Sequence, residues 1–319
     1  MALATTFNLP NYVGELFQVG QNKTPFLNMI GGLSGGRTVS TWEFPVALEE
    51  TLGVPSQPDI TETASLTAPT PTTIVPSQTT NVCQIFHKSV AMSYSRQSDN
   101  ATLSGLPILG TNEISDPYEH QKMLQVRQIA LDAEYTFLNG TYQRAAAATT
   151  DPAADEKSNK TRGILSAIQT NVVAAGDASL SRALINTLLR SMATNGSPFS
   201  QPVLFCNALQ KQTISAIYGA APLGGNVPSR TVGGVNVETL VTDFAEIGVV
   251  YDPFMPTDTV LIADLSVVFP VFLAVPNKGF LFYEDLATTG AGVGGQIYGQ
   301  MGLAYGPETF HGKITGLAD

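Results

Sequence analysis

The chain has 319 residues, of which 43% are hydrophobic and only 13% charged, and it carries 29 Gly and 20 Pro. About a quarter of an average soluble domain is charged. This surface must therefore be finished largely with uncharged side chains, and such surface is often covered by partner subunits. The 16 basic and 26 acidic side chains give a net charge of −10. That hydrophobicity excludes charge-driven disorder, the composition excludes a coiled coil, and the lack of a basic cluster disfavours gripping nucleic acid by its phosphates.

Residues 1–36 read as an extended arm. Tyr12, Leu16, Phe17 and Val19 could form one or two helical turns, and Thr24-Pro25 opens the apolar stretch Phe26, Leu27, Asn28, Met29, Ile30, which ends at Gly31-Gly32 and Gly35-Gly36. An arm this apolar needs a surface to lie on, its own domain's or a neighbour's. The arm has neither a basic n-region nor a continuous apolar h-region, so no export signal is expected. No apolar run approaches the length of a membrane span, and no membrane partner is expected.

Residues 37–95 predict a long two-stranded excursion. Strand-like alternation runs from Thr38 to Phe44 and includes Trp42. Prolines 55, 58, 69, 71 and 76 with nine threonines then fill residues 51–82, and no Lys or Arg occurs from Thr38 to His87. Those prolines forbid helix and disfavour a central strand. Residues 81–95 read as the returning strand. So long an irregular loop is rare in a compact domain unless it is functional or disordered.

The best helix follows. Asp116 is its expected N-cap, Pro117 its first residue and Asn139-Gly140 its stop, with Met123, Val126, Ala130, Ala133 and Phe137 as the core stripe and Leu124, Leu131 and Leu138 widening it. A polar linker spans 145–162. An α/β pattern comes next: helix 179–193, strand 202–206, helix 208–218, strands at 235–241, 247–251 and 259–263, and a short helix near 265–269. Strands at 279–283, 296–304 and 309–315 complete the chain.

Motifs for chemistry are weak. Gly31 to Thr38 fits a phosphate-binding loop except that Arg37 stands in place of the lysine, and Gly290 to Gly295 matches a dinucleotide glycine pattern, but strand-like sequence follows each where a helix is required. His87, His120 and His311 are isolated, so no metal site is expected, and Cys83 and Cys206 form neither a ligand pair nor a disulfide scaffold. No nucleophile elbow occurs. The adjacent pairs Glu49-Glu50 and Glu284-Asp285 suit solvent better than a two-carboxylate site. These readings point away from an enzyme and from any cofactor.

The segments Asn11 to Phe17 (NYVGELF) and Thr24 to Leu33 (TPFLNMIGGL) resemble the N-arm of tailed-bacteriophage major capsid proteins. The specific resemblance covers residues 8–48; beyond it the order of elements agrees. It implies the Hong Kong 97-type capsid fold, an α+β architecture with an N-arm (1–36), an extended E-loop (37–95), a P domain (96–162 and 287–319, spine helix about 117–139) and an α/β A domain (163–286). It also implies a subunit that self-assembles into hexamers and pentamers of an icosahedral head, made in the host cytoplasm and enclosing double-stranded DNA without sequence-specific binding. Tyr12, Phe17, Phe26, Leu27, Met29, Ile30, Trp42, Phe44, Ile60 and Leu66 are then the expected intersubunit contacts. With the arm starting at Met1, the resemblance implies a separate scaffolding protein or none; a separate scaffolding protein and a portal are the expected partners beside identical subunits. An encapsulin-like compartment shell is the nearest rival. A β-rich phage tail or surface protein is a rival of another class that the long helix disfavours.

Overall fold

The computed structural model describes residues 23–50, 52–98, 117–145, 158–218, 229–232, 235–288 and 290–318. In chain order the elements are α1 (Pro25–Met29), β1 (Arg37–Val39), β2 (Glu43–Glu49), α2 (Glu62–Ser65), β3 (Ser77–Val82), β4 (Gln84–Ser93), α3 (Tyr94–Ser98) and α4 (Pro117–Asn139). They continue with α5 (Ile164–Ala167), β5 (Val172–Ala178), α6 (Arg182–Thr194), β6 (Pro202–Cys206), α7 (Ala208–Tyr218), β7 (Ser229–Val232), β8 (Val235–Val241) and β9 (Glu246–Tyr251). The last five strands are β10 (Val260–Asp264), β11 (Phe269–Leu273), β12 (Leu281–Asp285), β13 (Gly292–Ala304) and β14 (Gly312–Leu317). Tyr12, Phe17 and Asp116 lie outside the described residues.

Two sheets organise the molecule. In the seven-stranded sheet the order is β5-β14-β10-β6-β9-β8-β7. Strands β6 and β10 are buried along their whole length, because alternate residues face two different cores. Val203, Phe205, Leu261 and Ala263 face the core that contains Ile129, Ala133 and Phe137 of α4, while Leu204, Cys206, Val260 and Ile262 face Ile185, Leu188 and Met192 of α6. A strand covered on both faces reads as a continuous apolar run, which is what PVLFC and VLIAD are. Helix α6 answers with Ile185, Leu188, Leu189 and Met192 at 3-1-3 spacing, and the Ser181 hydroxyl caps it by accepting from the Leu184 amide.

The second sheet is built around β13. One edge of β13 takes β4 over Gly292 to Met301, and the other takes β12 over Gly295 to Gly299 and then β11 over Met301 to Ala304. β1 pairs in parallel with β11. Residues of β11 and β13, including Phe272, Ile297 and Leu303, enter the same core as α4 and the inner face of the seven-stranded sheet, so that core joins the two sheets.

Several expectations are corrected. β11 and β12 fall within the stretch assigned to the A domain, yet they pair in the β13 sheet; β14 falls within the stretch assigned to the P domain, yet it lies between β5 and β10. Where a short helix was expected near 265–269, the buried Asp264 carboxylate accepts from the amides of Ser200, Gln201 and Ser266, tightening a turn that leads straight into β11. The expected hairpin strands also divide. β2 pairs with β3, whereas β4 leaves the hairpin at Cys83 to join β13.

The long helix runs from Pro117 to Asn139 as expected, but its stripe holds only in the C-terminal half. Ile129, Ala133, Phe137 and Leu138 are buried, whereas Met123 and Val126 are exposed. Towards its N-terminus the helix runs beside β12, where the Tyr118 and Tyr283 hydroxyls lie 2.7 Å apart. The arm residues Phe26, Leu27 and Ile30 are buried in the subunit's own core, and the Phe26 ring meets Phe205 edge-on at 5.2 Å between centroids. Met29 is half-buried against the same core. Almost no surface of Phe26, Leu27 or Ile30 is left for a neighbour, so the structure places them in the subunit's own core where intersubunit contacts were expected.

Phe26→Ala should therefore lower the stability of the unassembled subunit itself, by about 3–5 kcal/mol. Denaturant titration of that species checks this; an unchanged midpoint with defective assembly would restore the intersubunit role.

Candidate assembly surface

The hairpin β2–β3 has a firm base and a bare tip. At the base, Phe44 and Ala47 are buried, and Phe44 packs with Cys83, Val271, Leu273 and Ala304. Phe44 thus belongs to the subunit's core and is a second correction to the expected contact set. Asn81, fully buried, uses its amide completely. Its Nδ2 donates to the carbonyls of Leu303 (2.8 Å) and Arg162 (3.1 Å), and its Oδ1 accepts from the amides of Arg162 and Val82. A buried amide so satisfied holds the hairpin root against β13 and the end of the linker. Burial pushes the Cys83 thiol up to about 12, so it stays a thiol at neutral pH and is a poor nucleophile there.

Beyond the root the side chains stop packing. Every residue from 52 to 78 is exposed. Val54 (93% exposed), Leu66 (85%) and Ile60 (69%) lie there with Leu52, Ile74 and Val75. Helix α2 is a single turn capped by its own Thr61 hydroxyl, which accepts from the Ala64 amide. Trp42, beside the root, is 64% exposed. Large aliphatic side chains held in solvent over 27 consecutive residues make this stretch the candidate interaction surface. Ile60, Leu66 and Trp42 are among the contacts that the capsid-protein resemblance implies; Leu52, Val54, Ile74 and Val75 are exposed beside them but outside that set.

The glycine segments have other roles. Gly31 and Gly32, at φ +117° and +67°, turn the chain from α1 towards β1, and the Arg37 guanidinium stacks 4.1 Å above the Phe269 ring. Residues 290–295 run into β13, where a Cβ at Gly295 would lie 2.0 Å from the Tyr283 hydroxyl. Neither is a strand–loop–helix turn. A cleft of about 610 Å³ separates β4 from α4, but its ionic groups are already partnered: Lys88 pairs with Asp132 at 2.7 Å and His87 with Gln296 at 3.0 Å. Among the described residues no three His, Cys, Asp or Glu side chains converge as metal ligands, and no helix is long and apolar enough to cross a membrane.

A long helix packed between two sheets, with a projecting hairpin, is the architecture of Hong Kong 97-type shell proteins. The encapsulin complex of Synechococcus elongatus PCC 7942 superposes with a TM-score of 0.61 at 10% identity, covering 100% of this chain and 96% of that one. The capsid of a native GTA particle gives 0.61 at 12% identity, covering 96% and 94%. The capsid of cyanophage A-1(L) gives 0.60 at 10% identity, covering 99% of both chains. No curated protein matches the sequence. The family model for the SU10 major capsid protein matches residues 2–318, and the chain belongs to that family. It is a phage major capsid protein, a subunit of the virion's shell.

Because the chain has a single tryptophan, its fluorescence reads the hairpin root alone. Trp42 emission should shift to the blue when subunits assemble. Identical spectra before and after closure would remove Trp42 from the interface.

Proposed function

We propose that the shell is built by laying residues 52–78 of each subunit across a neighbour, in hexamers and pentamers of an icosahedral head. The observation that carries this is the unbroken exposure of that segment above a root fixed by Asn81 and Phe44. In this reading α4 with the β13 sheet forms the peripheral part of the subunit and the seven-stranded sheet the axial part. The subunit works by self-association without catalysis, is assembled in the host cytoplasm with a separate scaffolding protein and a portal, and encloses double-stranded DNA without reading its sequence. A net charge of −10 supports the last point, since a wall short of cations does not hold phosphates.

Replacing residues 52–76, which precede β3, by a tight turn should leave the subunit's circular dichroism and melting nearly unchanged, because every residue of that segment is exposed and each halving of loop length lowers the closure cost by about 0.6 kcal/mol. Yield of closed shells by electron microscopy should fall to background. Normal shells from the shortened chain would overturn the proposal, as would a collapsed melting curve.

A further inference from the structure

Helix α1 is only five residues long, and its first turn has an unusual cap. Thr24, at the N-cap, makes no side-chain cap bond, and Pro25 has no amide hydrogen to offer. The Asn28 amide donates to the Thr24 carbonyl, which leaves the amides of Phe26 and Leu27 to be satisfied. Glu134, fully buried on α4 and more than a hundred residues away in sequence, takes both: its Oε1 accepts from Phe26 at 2.8 Å and its Oε2 from Leu27 at 2.6 Å. One carboxyl group therefore completes the arm's helix and fastens it to the spine helix.

A second buried acid faces this clip. Asp252, just past β9, is also fully buried. Its Oδ1 accepts from the Phe254 amide at 2.9 Å, while its Oδ2 has no donor among the described residues. The Glu134 and Asp252 carboxyl groups are within hydrogen-bonding reach of one another. Two acceptor oxygens can bond only with a proton between them, and two buried negative charges side by side would be strongly unfavourable.

We propose that Glu134 and Asp252 share a single proton and form a latch, which seats α1, the end of the N-terminal arm, against the spine helix and the seven-stranded sheet, and which loosens when that proton is lost. Burial and the Asp252 charge push Glu134 well above the usual carboxylate range, and burial raises Asp252 as well. The proton belongs to the pair. Among the described residues, no charged side chain other than the partner acid acts on either Glu134 or Asp252. Helices α1 and α5, which pack on α4, carry no ionisable side chain. On β4, Lys88 is engaged with Asp132 and His87 with Gln296. On β13, Tyr298 packs against His87 and Phe282.

The sign follows from linkage. Once the latch opens, both acids titrate in the ordinary carboxylate range, near 4, whereas the closed pair keeps its proton to higher pH. Between those limits the closed form binds more protons than the open one. Opening therefore grows with pH, by up to about tenfold per unit, and levels off once the pair's own pKa is passed. Exposed Lys23 immediately precedes the N-cap, so tryptic cleavage after it reports opening.

The test compares unassembled wild-type subunit with Asp252→Asn, whose amide is a permanent donor to Glu134. At each pH from 6.5 to 9 the ratio of wild-type to variant cleavage rates at Lys23 cancels the protease's own pH dependence. We expect that ratio to rise several-fold across the range; a constant ratio overturns the latch. Infrared spectroscopy of the wild type supplies a readout that needs no variant. A protonated-carboxyl stretch should persist at pH 6.5, where exposed carboxyls are ionised, and its absence overturns the proposal whether or not Asp252→Asn folds.

Discussion

Residues 52–78 form a span that buries no side chain in the subunit carrying it. An ordered segment loses roughly 1–2 kcal/mol of backbone entropy per residue, and burial is what normally offsets that loss. Here the nearest buried groups are at the root, in Phe44, Ala47 and Asn81. In the proposed assembly the tip finds its covering surface on another chain. The low charge content and the membership in a shell-building family agree with the same requirement.

Everything behind the root serves to hold it still. β13 receives β4 on one edge and β12 and β11 on the other. Its glycines allow close approach: a Cβ at Gly302 would come within 2.8 Å of the Phe44 ring, and one at Gly295 would strike Tyr283. The core shared by α1, α4, β6, β10 and β13 ties this sheet to the seven-stranded one. On the far side of that core the buried His311 imidazole clasps the last turn. Its Nδ1 accepts from the Asp264 amide and its Nε2 bonds the Tyr305 carbonyl. Burial depresses its pKa and keeps the ring neutral.

How much of this could be read from the sequence depended on whether the signal was local. The spine helix was legible because Pro117 and Asn139-Gly140 punctuate it, and β6 and α7 because a short apolar run ends at Asn207. The orientation of the helix was not legible: Glu134 reads as a surface residue, and only the unsatisfied amides of Phe26 and Leu27 give it a reason to be inside. For the same cause the apolar arm could be matched to its own core only with the fold in hand. Strand membership was hidden because pairing partners lie far apart in sequence. β14 slots between β5 and β10, and β11 returns to β13, with no pattern in either strand to say so. At the candidate assembly surface, Trp42, Ile60 and Leu66 came only with the family resemblance, since no local pattern separates Ile60 and Leu66 from the equally exposed Val54 and Val75.

The central claim is that a neighbouring subunit covers the hairpin tip. An electron cryomicroscopy map of assembled shells, at a resolution that shows side chains, tests it most directly. Residues 52–78 should lie on an adjacent subunit, with Ile60 and Leu66 covered. A map in which that segment contacts only its own subunit, or stands free in solvent, would contradict it.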